Sequence, residues 1–483
     1  MNKKGLEGGR YKPLNEGDIV QIHNTAMRVF EEVGVQVNSE RALKVFHDAG
    51  ARVEDRIVKI PQDMVMELVT KAPSEVTLYG RKPEHNLNLG DARVHAGTGG
   101  TALNIIDGTT GERRSATLQD LKNIAKIVDN LNNIHFFLLP TYPSDVETGS
   151  VDVNRFFAGL DNTSKHIMGG VYTHNGIRNV LHMAEIIAGS PEHLRQEPVI
   201  SIILCAISPL MIDKEYGDMI VTVAEAGIPV ALPAEPLCGS TSPVTLASNI
   251  VIQTVDSLAE VCLTQLVNPG TPAIFGSVAS SNDFRDLKYI TGCIEMGLLN
   301  TASAQMAQFY KLPYYATAGM SDSKVVDAQC GYESALTVLL CALGGANYIH
   351  DAAGLMDFAL SVSLEKYVVD NEILGMVMRA VEGIEVNENT LAFDLIKEVG
   401  PAGHFVHAKH TRKHMRTEHY QPTLSDREHL TDWQNAGKQD TAARAKARVE
   451  EILAAPGYHL PDDVRQKIFT DIPGIIDKEQ ICS

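Results

Sequence analysis

The sequence lacks the cysteine spacing of a disulfide framework or a structural zinc site. Its seven cysteines are an odd number, and no two of them form a Cys-x-x-Cys pair. Most of them stand in apolar runs, which favours reduced, buried thiols. We therefore expect neither disulfide bonds nor a structural metal.

Long hydrophobic runs are also scarce. The longest apolar stretch covers residues 199–212 and is interrupted by Ser201, Ser208 and Pro209, whereas a membrane-spanning helix needs about 20 apolar residues. The first five residues are not followed by the apolar segment of a signal peptide. These absences predict a soluble, cytoplasmic protein with no membrane partner.

Basic residues are outnumbered by acidic ones. Lys and Arg total 42 against 60 Asp and Glu, so the formal net charge is −18. An acidic surface repels nucleic acid and anionic lipid, and it is compatible with a cationic substrate or a basic partner. We expect no nucleic-acid partner, and most of the charge serves solubility.

Common nucleotide, metalloprotease, hydrolase and calcium-binding motifs are missing as well. Gly97-Thr98-Gly99-Gly100-Thr101-Ala102 fits G-x-G-x-x-A, but a strand and a turn follow it instead of the helix that a dinucleotide site requires. We reject a nucleotide site here. A glycine run that lets a ligand approach the backbone remains a good interpretation.

What the sequence does contain is a regular alternation of strand and helix patterns that begins near Arg93. The apolar character of the strands is continuous, which a parallel sheet buried on both faces requires. Eight such units favour an α/β fold, a (β/α)8 TIM barrel, over the alternative of a doubly wound sheet. The predicted strands cover residues 94–97, 136–140, 166–170, 199–204, 230–233, 273–276, 315–318 and 348–350, and the predicted helices cover 117–131, 148–160, 175–188, 213–226, 243–267, 289–310, 328–343 and a segment from near 361.

Extensions flank this barrel pattern at both ends. We predict an N-terminal α+β accessory region (residues 1–92), the barrel (93–400) and a C-terminal extension that packs on the barrel (401–483). The extension begins with a His- and Arg-rich segment, residues 404–416, and includes a helix over 441–454. Because the four histidines of that segment stand among lysines and arginines, a basic surface or docking strip is favoured over a metal site.

Candidate site residues follow from the barrel, whose strands present substrate-facing side chains at their carboxyl ends. Glu235 and His350, the latter followed by Asp351, stand out because charged groups are costly near a barrel core. They are our catalytic candidates. The aromatic residues Tyr142, Tyr172, Tyr348 and Phe358 fall at the same predicted rim, where they could form a cage for a quaternary ammonium group.

Several longer motifs make the sequence similar to a known family. They are the Gly97-Thr98-Gly99-Gly100-Thr101 run, Gly319-Met320-Ser321-Asp322-Ser323-Lys324 with Asp327-Ala328-Gln329 and Tyr332-Glu333, Tyr348 through Gly354, Gly403-His404-Phe405 with His410-Thr411-Arg412, Asp426-Arg427, and Trp433. With these motifs, the chain from near residue 15 to near 440 resembles the trimethylamine methyltransferase family, in its branch that lacks pyrrolysine.

The resemblance implies a barrel enzyme that moves a methyl group from an amine to the Co(I) of a separate corrinoid protein. No cofactor is then bound tightly, because the partner presents the corrinoid. Trimethylamine-specific members carry pyrrolysine and this sequence has none, so the implied substrate is a small quaternary amine such as glycine betaine, proline betaine or carnitine. Loss of a methyl group from such a cation leaves a neutral tertiary amine, which requires no general acid.

Roles can then be assigned to the candidate residues. We expect Tyr142, Tyr172 and Phe358 to bind the cation, and His350 with the loop that holds Gly97, Gly99, Gly100 and Thr101 to bind the carboxylate. Glu235 would attract the ammonium group, although it would repel the carboxylate. We expect no metal ligands, and the apolar helical shell favours a homo-oligomer.

Two other functions remain open from the sequence. One is a barrel lyase or aldolase that uses Lys324 as a Schiff-base amine. The other is a non-catalytic protein that binds a betaine or docks a corrinoid protein.

Overall fold

The computed structural model describes residues 5–476 of the chain, and it confirms the predicted mixed α/β class. Eight parallel strands form its central sheet: β1 (Arg93–Thr98), β2 (Phe137–Leu138), β3 (Ile167–Gly169), β4 (Ile200–Ile203), β5 (Val230–Ala234), β6 (Ala273–Ser277), β7 (Tyr314–Thr317) and β8 (Tyr348–Ala353). They follow one another in chain order across the sheet, and β8 pairs in parallel with β1. All eight predicted strands are therefore confirmed, with no end displaced by more than three residues.

Strands β1 and β2, at the two ends of this series, also contact each other. The His135 amide donates to the Ala96 carbonyl at 2.7 Å, and the Thr98 hydroxyl donates to the Leu138 carbonyl at 2.7 Å. Just beyond the strands, the Ala102 amide donates to the Pro140 carbonyl at 2.9 Å. The amino-terminal half of β1 pairs instead with a short antiparallel strand, Leu6–Glu7.

Side chains alternate along each strand between two separate hydrophobic clusters. One face of the sheet packs against the surrounding helices and belongs to the main core. The side chains of the other face meet one another in a smaller cluster that draws on seven of the eight strands: Phe136, Leu138, Met168, Ala231, Ile274, Tyr315 and Tyr348, with Ile203 and Val278 packed against it. Side chains from one face can meet in this way only when a sheet curls strongly upon itself.

A hairpin from the N-terminal region adds four residues to this inner cluster. Its strands, Val76–Leu78 and Leu87–Leu89, pair antiparallel and bury Val76, Leu78, Leu87 and Leu89 there. The rest of that region consists of the helices Glu16–Arg28, Val29–Val33, Glu40–Asp48, Gln62–Lys71 and Pro83–His85 and the strands Val35–Val37, Arg52–Glu54 and Ile57–Lys59.

The helices between the strands form the outer layer. They are Leu118–Asp129, Thr148–Ser150 with Val151–Asn162, His174–Ala188 with Pro191–Gln196, Lys214–Ala226, Leu246–Val267, Ile294–Tyr310, Ala328–Gly344 and Leu364–Glu382. Thr117 and Asp120 form the capping box of the first of these. Leu246–Val267 has the length and the apolar composition of a membrane-spanning helix, but 78% of its most apolar 18-residue stretch is buried inside the protein. It is a core helix of this fold.

The strand and turn predicted after the glycine run are confirmed as Asn104–Ile106, which pairs antiparallel with Arg113–Ser115. Other short strands in the loops after the parallel strands were not predicted: Met211–Ile212, Leu237–Cys238, Ser280–Asp283, Lys288–Ile290, Leu355–Met356 and Ser361–Val362. The predicted helix start at Tyr289 is wrong: Tyr289 pairs with Asn282 in an antiparallel ribbon, and the helix begins at Ile294. Asp322 accepts hydrogen bonds from the Thr291 and Gly292 amides, which holds this turn outside the helix.

The C-terminal part contains the helices Glu388–Leu391, Phe393–Val399, Lys409–His414, Leu430–Asn435, Thr441–Ala454 and Asp462–Asp471. Thr441–Ala454 has the predicted bounds, whereas Asp462–Asp471 was not predicted. The described cysteines are all free thiols. Cys482 and residues 1–4, on which part of the signal-peptide prediction rests, lie outside the described residues.

Candidate active site

Glu235 follows strand β5 at its carboxyl end, where the predicted site lies. Its side chain is exposed, yet the surrounding protein raises the pKa of its carboxyl group to about 7. Desolvation is the largest cause and the charge of Asp351 is the second, while hydrogen bonding with Tyr289 opposes the rise. A group that solvent reaches but protein desolvates so strongly lies on the wall of a concave site.

His350 and Asp351 face this site from strand β8. The pairing of β8 with β1 shifts register between Ile349 and Ala353, and Asp351 has a left-handed φ of 62°. Such an irregularity re-aims side chains at a strand end. His350 Nδ1 lies 3.0 Å from Asp351 Oδ1, but the two are not aligned as a hydrogen bond, and neither atom has a hydrogen-bond partner among the described residues.

The imidazole of His350 is fixed from its other side. Its Nε2 makes a short hydrogen bond with the Thr317 hydroxyl, and its ring stacks on Tyr315 with centroids 4.1 Å apart. Tyr315 stacks in turn on Tyr348, and Tyr348 stacks on Phe136. This aromatic column fills the interior of the curled sheet below the site. Tyr348 is fully buried in it, so the prediction that Tyr348 lies at the rim is wrong.

Acidic groups dominate the interior next to Glu235. The half-buried Cys205 follows β4, and burial together with the charges of Glu235, Glu260 and Asp351 raises the pKa of its thiol well above the ordinary value. The pKa of the Tyr289 hydroxyl is also raised, first by burial and then by Glu235 and Asp351. Glu235 and Asp351 therefore act on both groups, which indicates a negative potential in the site. Such a potential favours the binding of a cation.

Tyr142 and Tyr172, two of the predicted cation-binding residues, lie next to each other. Their ring centroids lie 5.5 Å apart in an edge-to-face arrangement, and 39% of Tyr172 is exposed. Asp152 holds the Tyr172 segment, because its carboxylate accepts hydrogen bonds from the amides of Tyr172 and Thr173. The tyrosine pair therefore presents aromatic surface beside the carboxyl ends of β2 and β3.

Arg155 was missed by the sequence prediction, yet it organises this part of the site. It is fully buried, and its guanidinium donates to the hydroxyl oxygens of Thr101 and Tyr172 at 3.3 and 3.2 Å. It also donates to three carbonyl oxygens, those of Leu139, Thr141 and Gly170. One side chain thus fixes the loops after β1, β2 and β3. An isolated arginine in a helix pattern gave no signal of this role.

The glycine run after β1 is explained in part by packing against neighbouring strands. A Cβ atom on Gly99 would lie 2.2 Å from Asp351 Oδ1 and 2.7 Å from His350 Nδ1. One on Gly97 would meet the Phe136 ring, and one on Gly100, which has a positive φ of 76°, would meet Leu355. The glycines therefore allow β8 to bring His350 and Asp351 close to the first loop. Thr101 is exposed at the end of that run.

Phe358 lies in the loop after β8, and its contact is with Lys324. The Lys324 ammonium lies 4.1 Å from the centroid of the Phe358 ring, a cation–π contact. Asp357, Phe358 and Ala359 all have positive φ angles, which is rare for non-glycine residues and indicates a constrained loop. Ring contacts thus join Tyr142 to Tyr172, while Phe358 is joined to Lys324.

A cavity of about 490 Å³ lies at the opposite end of the sheet. His95, His135 and Lys165 line it near the amino ends of β1 to β3, and burial lowers the pKa of Lys165 to about 7. The Lys165 ammonium donates to three carbonyls, those of Val128, Leu131 and Ile134. Lys165 therefore closes the carboxyl end of helix Leu118–Asp129, and the predicted site residues lie elsewhere.

Comparisons with known proteins agree over nearly the whole chain. A family model described as trimethylamine methyltransferase (MTTB) matches residues 4–472. Trimethylamine methyltransferase MttB of Desulfitobacterium hafniense strain DCB-2 is 35% identical over 98% of this chain and 95% of its own length. Glycine betaine methyltransferase of D. hafniense strain Y51 is 35% identical over 92% of this chain and 93% of its own. The crystal structure of Methanosarcina barkeri monomethylamine methyltransferase matches with a TM-score of 0.49 and 12% identity, covering 97% of this chain and 90% of that one.

Proposed function

Because the chain belongs to the trimethylamine methyltransferase family, as its motifs predicted, we propose that it moves a methyl group from a quaternary amine to the Co(I) of a separate corrinoid protein. The substrate class is glycine betaine, proline betaine, carnitine or a similar amine. One relative bears the name glycine betaine methyltransferase, and this sequence contains no pyrrolysine. The observation that carries the proposal is the desolvated Glu235 beside Asp351, with tyrosine rings at the same end of the sheet.

We further propose that the curled sheet is a closed (β/α)8 barrel. The hydrogen bonds between β1 and β2 and the inner cluster that the strands share support closure. Residues 1–92 and 401–483 then flank a barrel of residues 93–400. We propose that the enzyme is cytoplasmic; within residues 5–476, the one helix with the length and composition of a membrane span is mostly buried in the protein.

The residues at this mouth suit a substrate with a positive end. A quaternary ammonium group has no N–H to donate, so aromatic faces and nearby negative charge are the forces that bind it. Tyr142 and Tyr172 supply aromatic surface, and Glu235 with Asp351 supplies negative charge. Phe358 joins them if the substrate cation takes the place of the Lys324 ammonium on its ring.

The carboxylate of a betaine must lie away from these acids. We propose that the loop with Gly97, Gly99, Gly100 and Thr101 receives it, with His350 as a donor. Asp351 lies close to His350 and opposes an anion there. The substrate is therefore oriented with its ammonium group toward Glu235 and its carboxylate toward Thr101.

The proposed reaction requires the protein to bind the substrate and to align its C–N bond. The nitrogen keeps the bonding electrons when the methyl group departs, so no proton has to be delivered. The corrinoid of the partner protein supplies the nucleophile, a Co(I) centre. The residues of this chain hold the C–N bond toward the open mouth and exclude water from it.

The rim of the mouth fits a protein partner that presents the corrinoid. Large apolar side chains are exposed on the loops that follow six of the parallel strands: Leu103, Tyr172, Ile207, Val244, Phe284, Leu287 and Leu360. Exposed apolar groups collected on one face are typical of a docking surface. A corrinoid protein seated there would face Glu235 and Asp351.

The surroundings of Lys324 do not favour the alternative function, a lyase or aldolase that uses this residue as a Schiff-base amine. Its ammonium is exposed and donates to the Asp322 carbonyl, without the enclosure that activates an amine nucleophile. Borohydride trapping with carbonyl substrates tests this alternative directly, and we expect no covalent adduct at Lys324.

The test of the proposal is methyl transfer itself. Purified enzyme is incubated with a panel of quaternary amines and a Co(I) corrinoid protein, and the corrinoid absorbance reports its methylation. We expect one amine to support rapid methylation in wild-type enzyme and much slower methylation in the Glu235→Gln variant. Calorimetric binding of an amine without turnover would identify a binding protein instead, and no response to any amine would reject the proposal.

A further inference from the structure

A segment near the C-terminus stands apart from both cores. We call residues 384–417 the arm. Arg379 contacts the residues on both sides of the arm. Its guanidinium donates to the Gly383 carbonyl, just before the arm, at 2.7 Å and to the Glu418 carbonyl, just after it, at 2.9 Å. Between these two points the chain forms the helices Glu388–Leu391, Phe393–Val399 and Lys409–His414.

No residue of the arm is buried. Its large apolar side chains are exposed instead, with Phe393 at 70% and Val406 at 69%, and so are Ile384, Val386, Leu391, Ile396, Phe405 and Met415. Ordering a residue costs about 1–2 kcal/mol in backbone entropy, and helices shorter than about 12 residues are marginal alone. Short helices with this composition require a second apolar surface to cover them.

The arm is nevertheless tied together by polar contacts. The His410 ring lies 3.1 Å from the Asn389 carbonyl through Nε2, and the Asn389 amide lies 3.3 Å from the His414 ring. The Thr411 hydroxyl donates to the Phe405 carbonyl at 2.7 Å. These contacts join the first and last helices of the arm, so the arm presents a defined surface to its partner.

The position of the arm argues against the mouth of its own sheet. Helix Leu364–Glu382 begins next to the loop after β8 and runs about 28 Å, at 1.5 Å per residue, before the arm starts. The far end of that helix contacts Arg10, whose amide donates to the carbonyl of Leu343 near the end of helix Ala328–Gly344. The arm therefore leaves at the amino ends of the parallel strands, opposite to Glu235.

The charge of the arm changes sign along its length. Residues 384–400 carry Glu385, Glu388, Asp394 and Glu398 with a single lysine, Lys397. Residues 401–416 carry Lys409, Arg412, Lys413 and Arg416 with no Asp or Glu. In a twofold contact each half of a surface meets the other half on its partner, so such an arm is complementary to a second copy of itself.

We propose that the arms of two copies of this chain pair about a twofold axis. The acidic half of each arm then lies against the basic half of the other, and the exposed apolar residues are buried between them. Interfaces between permanent partners are more hydrophobic than transient ones. A methyl-accepting partner that must bind and leave in each cycle fits this surface less well.

Apolar substitutions in the full-length chain test the pairing first. Sedimentation measures the mass of wild type, of the double variant Phe393→Glu/Val406→Glu, and of Val33→Glu. Val33 is the control, because it is an exposed apolar residue outside the arm. We expect wild type and the control to be at least dimeric and the double variant to shift toward the 52.6 kDa monomer. Because all these residues are exposed, far-ultraviolet circular dichroism should be unchanged.

Charge reversal tests the register of the pairing. Lys409→Glu/Arg412→Glu/Lys413→Glu gives both halves of the arm a net negative charge, and Glu388→Lys/Asp394→Lys/Glu398→Lys gives both halves a net positive charge. We expect each variant alone to lose assembly and the mixture of the two to recover it. A monomeric wild type, or no recovery on mixing, would overturn the proposal. So would unchanged mass with slower methylation of the corrinoid protein, which would make that protein the occupant.

Discussion

The guanidinium carbon of Arg155 lies 5.4 Å from the centroid of the Tyr172 ring, and Arg155 Nη1 donates to the Tyr172 hydroxyl. The arginine thus packs on the tyrosine ring, and 39% of Tyr172 nevertheless remains exposed. Because Arg155 also holds Thr101, it connects the loop proposed for the carboxylate with a ring proposed for the cation.

We expect Arg155→Lys to weaken substrate binding more than turnover. Lysine keeps the charge but lacks the planar fork, so the acceptors on Thr101, Gly170 and Tyr172 cannot all be satisfied. The KM for the amine should rise about tenfold, a loss of about 1.4 kcal/mol in binding. Initial rates of corrinoid methylation measure it. Arg41→Lys, at an exposed ion pair with Glu225, is the control and should not change KM.

Substrate affinity should depend on the ionisation of Glu235. The pKa of its carboxyl group is about 7 in the free protein, and a bound cation favours the charged form. Affinity is then full above pH 7 and falls by about tenfold per pH unit below it, as Glu235 takes up a proton. Calorimetric titrations at pH 6 and pH 8 measure this slope. In Glu235→Gln we expect weak binding with no slope, and a slope retained in that variant would contradict the assignment.

The same carboxyl group should lower stability at high pH. Its folded pKa lies above its unfolded value, so the protonated form is favoured by folding, and this contribution is lost as pH rises through 7. Thermal unfolding should therefore give Glu235→Gln a higher Tm than wild type at pH 8. The two proteins should converge near pH 4, where both states of the wild-type carboxyl group are protonated. A lower Tm for the variant at pH 8 would show that Glu235 is stabilised by a partner.

Gly99→Ala should disturb the site through packing alone. The new Cβ would lie 2.4 Å from the Asp351 amide nitrogen, which cannot move without displacing β8. Overpacking of this kind costs about 1–3 kcal/mol. Gly331→Ala is the matched control, because a Cβ there meets nothing within 4 Å and the position is helical. We expect urea unfolding to show a loss for the first variant and a gain of about 0.5–1 kcal/mol for the second.

Lys366 and Asp370 form a fully buried ion pair behind the loop after β8. Their Nζ and Oδ2 atoms lie 2.7 Å apart, and Asp370 also accepts from the Gly354 amide. Lys366→Met leaves the carboxylate buried without its counter-charge, so we expect a loss of about 3–5 kcal/mol in urea unfolding. Lys366→Met/Asp370→Leu should be less destabilised than the single variant. A double variant as unstable as the sum of both singles would deny that the two groups are coupled.

The strands could be predicted because their apolar runs are buried on both faces, and this burial is visible in sequence. The start of the helix after β6 could not be predicted from the sequence. Tyr289 looks like the first residue of a helical pattern, but Asp322, far along the chain, captures the Thr291 and Gly292 amides and keeps Tyr289 in a ribbon. Long-range capping of this kind leaves no local signal.

The residues of the candidate site were likewise predictable only in part. Glu235 and His350 could be selected because ionisable groups at strand ends are unusual, and Tyr142 with Tyr172 because they follow adjacent strands. Arg155 could not be selected, since its burial depends on five acceptors from three separate loops. The exposed arm was visible as a basic segment, but the acidic half that precedes it was included in the predicted barrel.

The hairpin that buries Val76, Leu78, Leu87 and Leu89 closes the interior of the sheet at the amino ends of the strands, and the aromatic column fills the space above it. The interior of the sheet is thus filled from the amino ends of the strands up to the site, which lies at their carboxyl ends. In the proposed reaction, a corrinoid protein seated on the mouth would cover it, so the amine would enter before the partner arrives and the demethylated amine would leave after the partner has gone. The proposed docking would therefore give the catalytic cycle a compulsory order, in which the amine binds first and the demethylated amine leaves last.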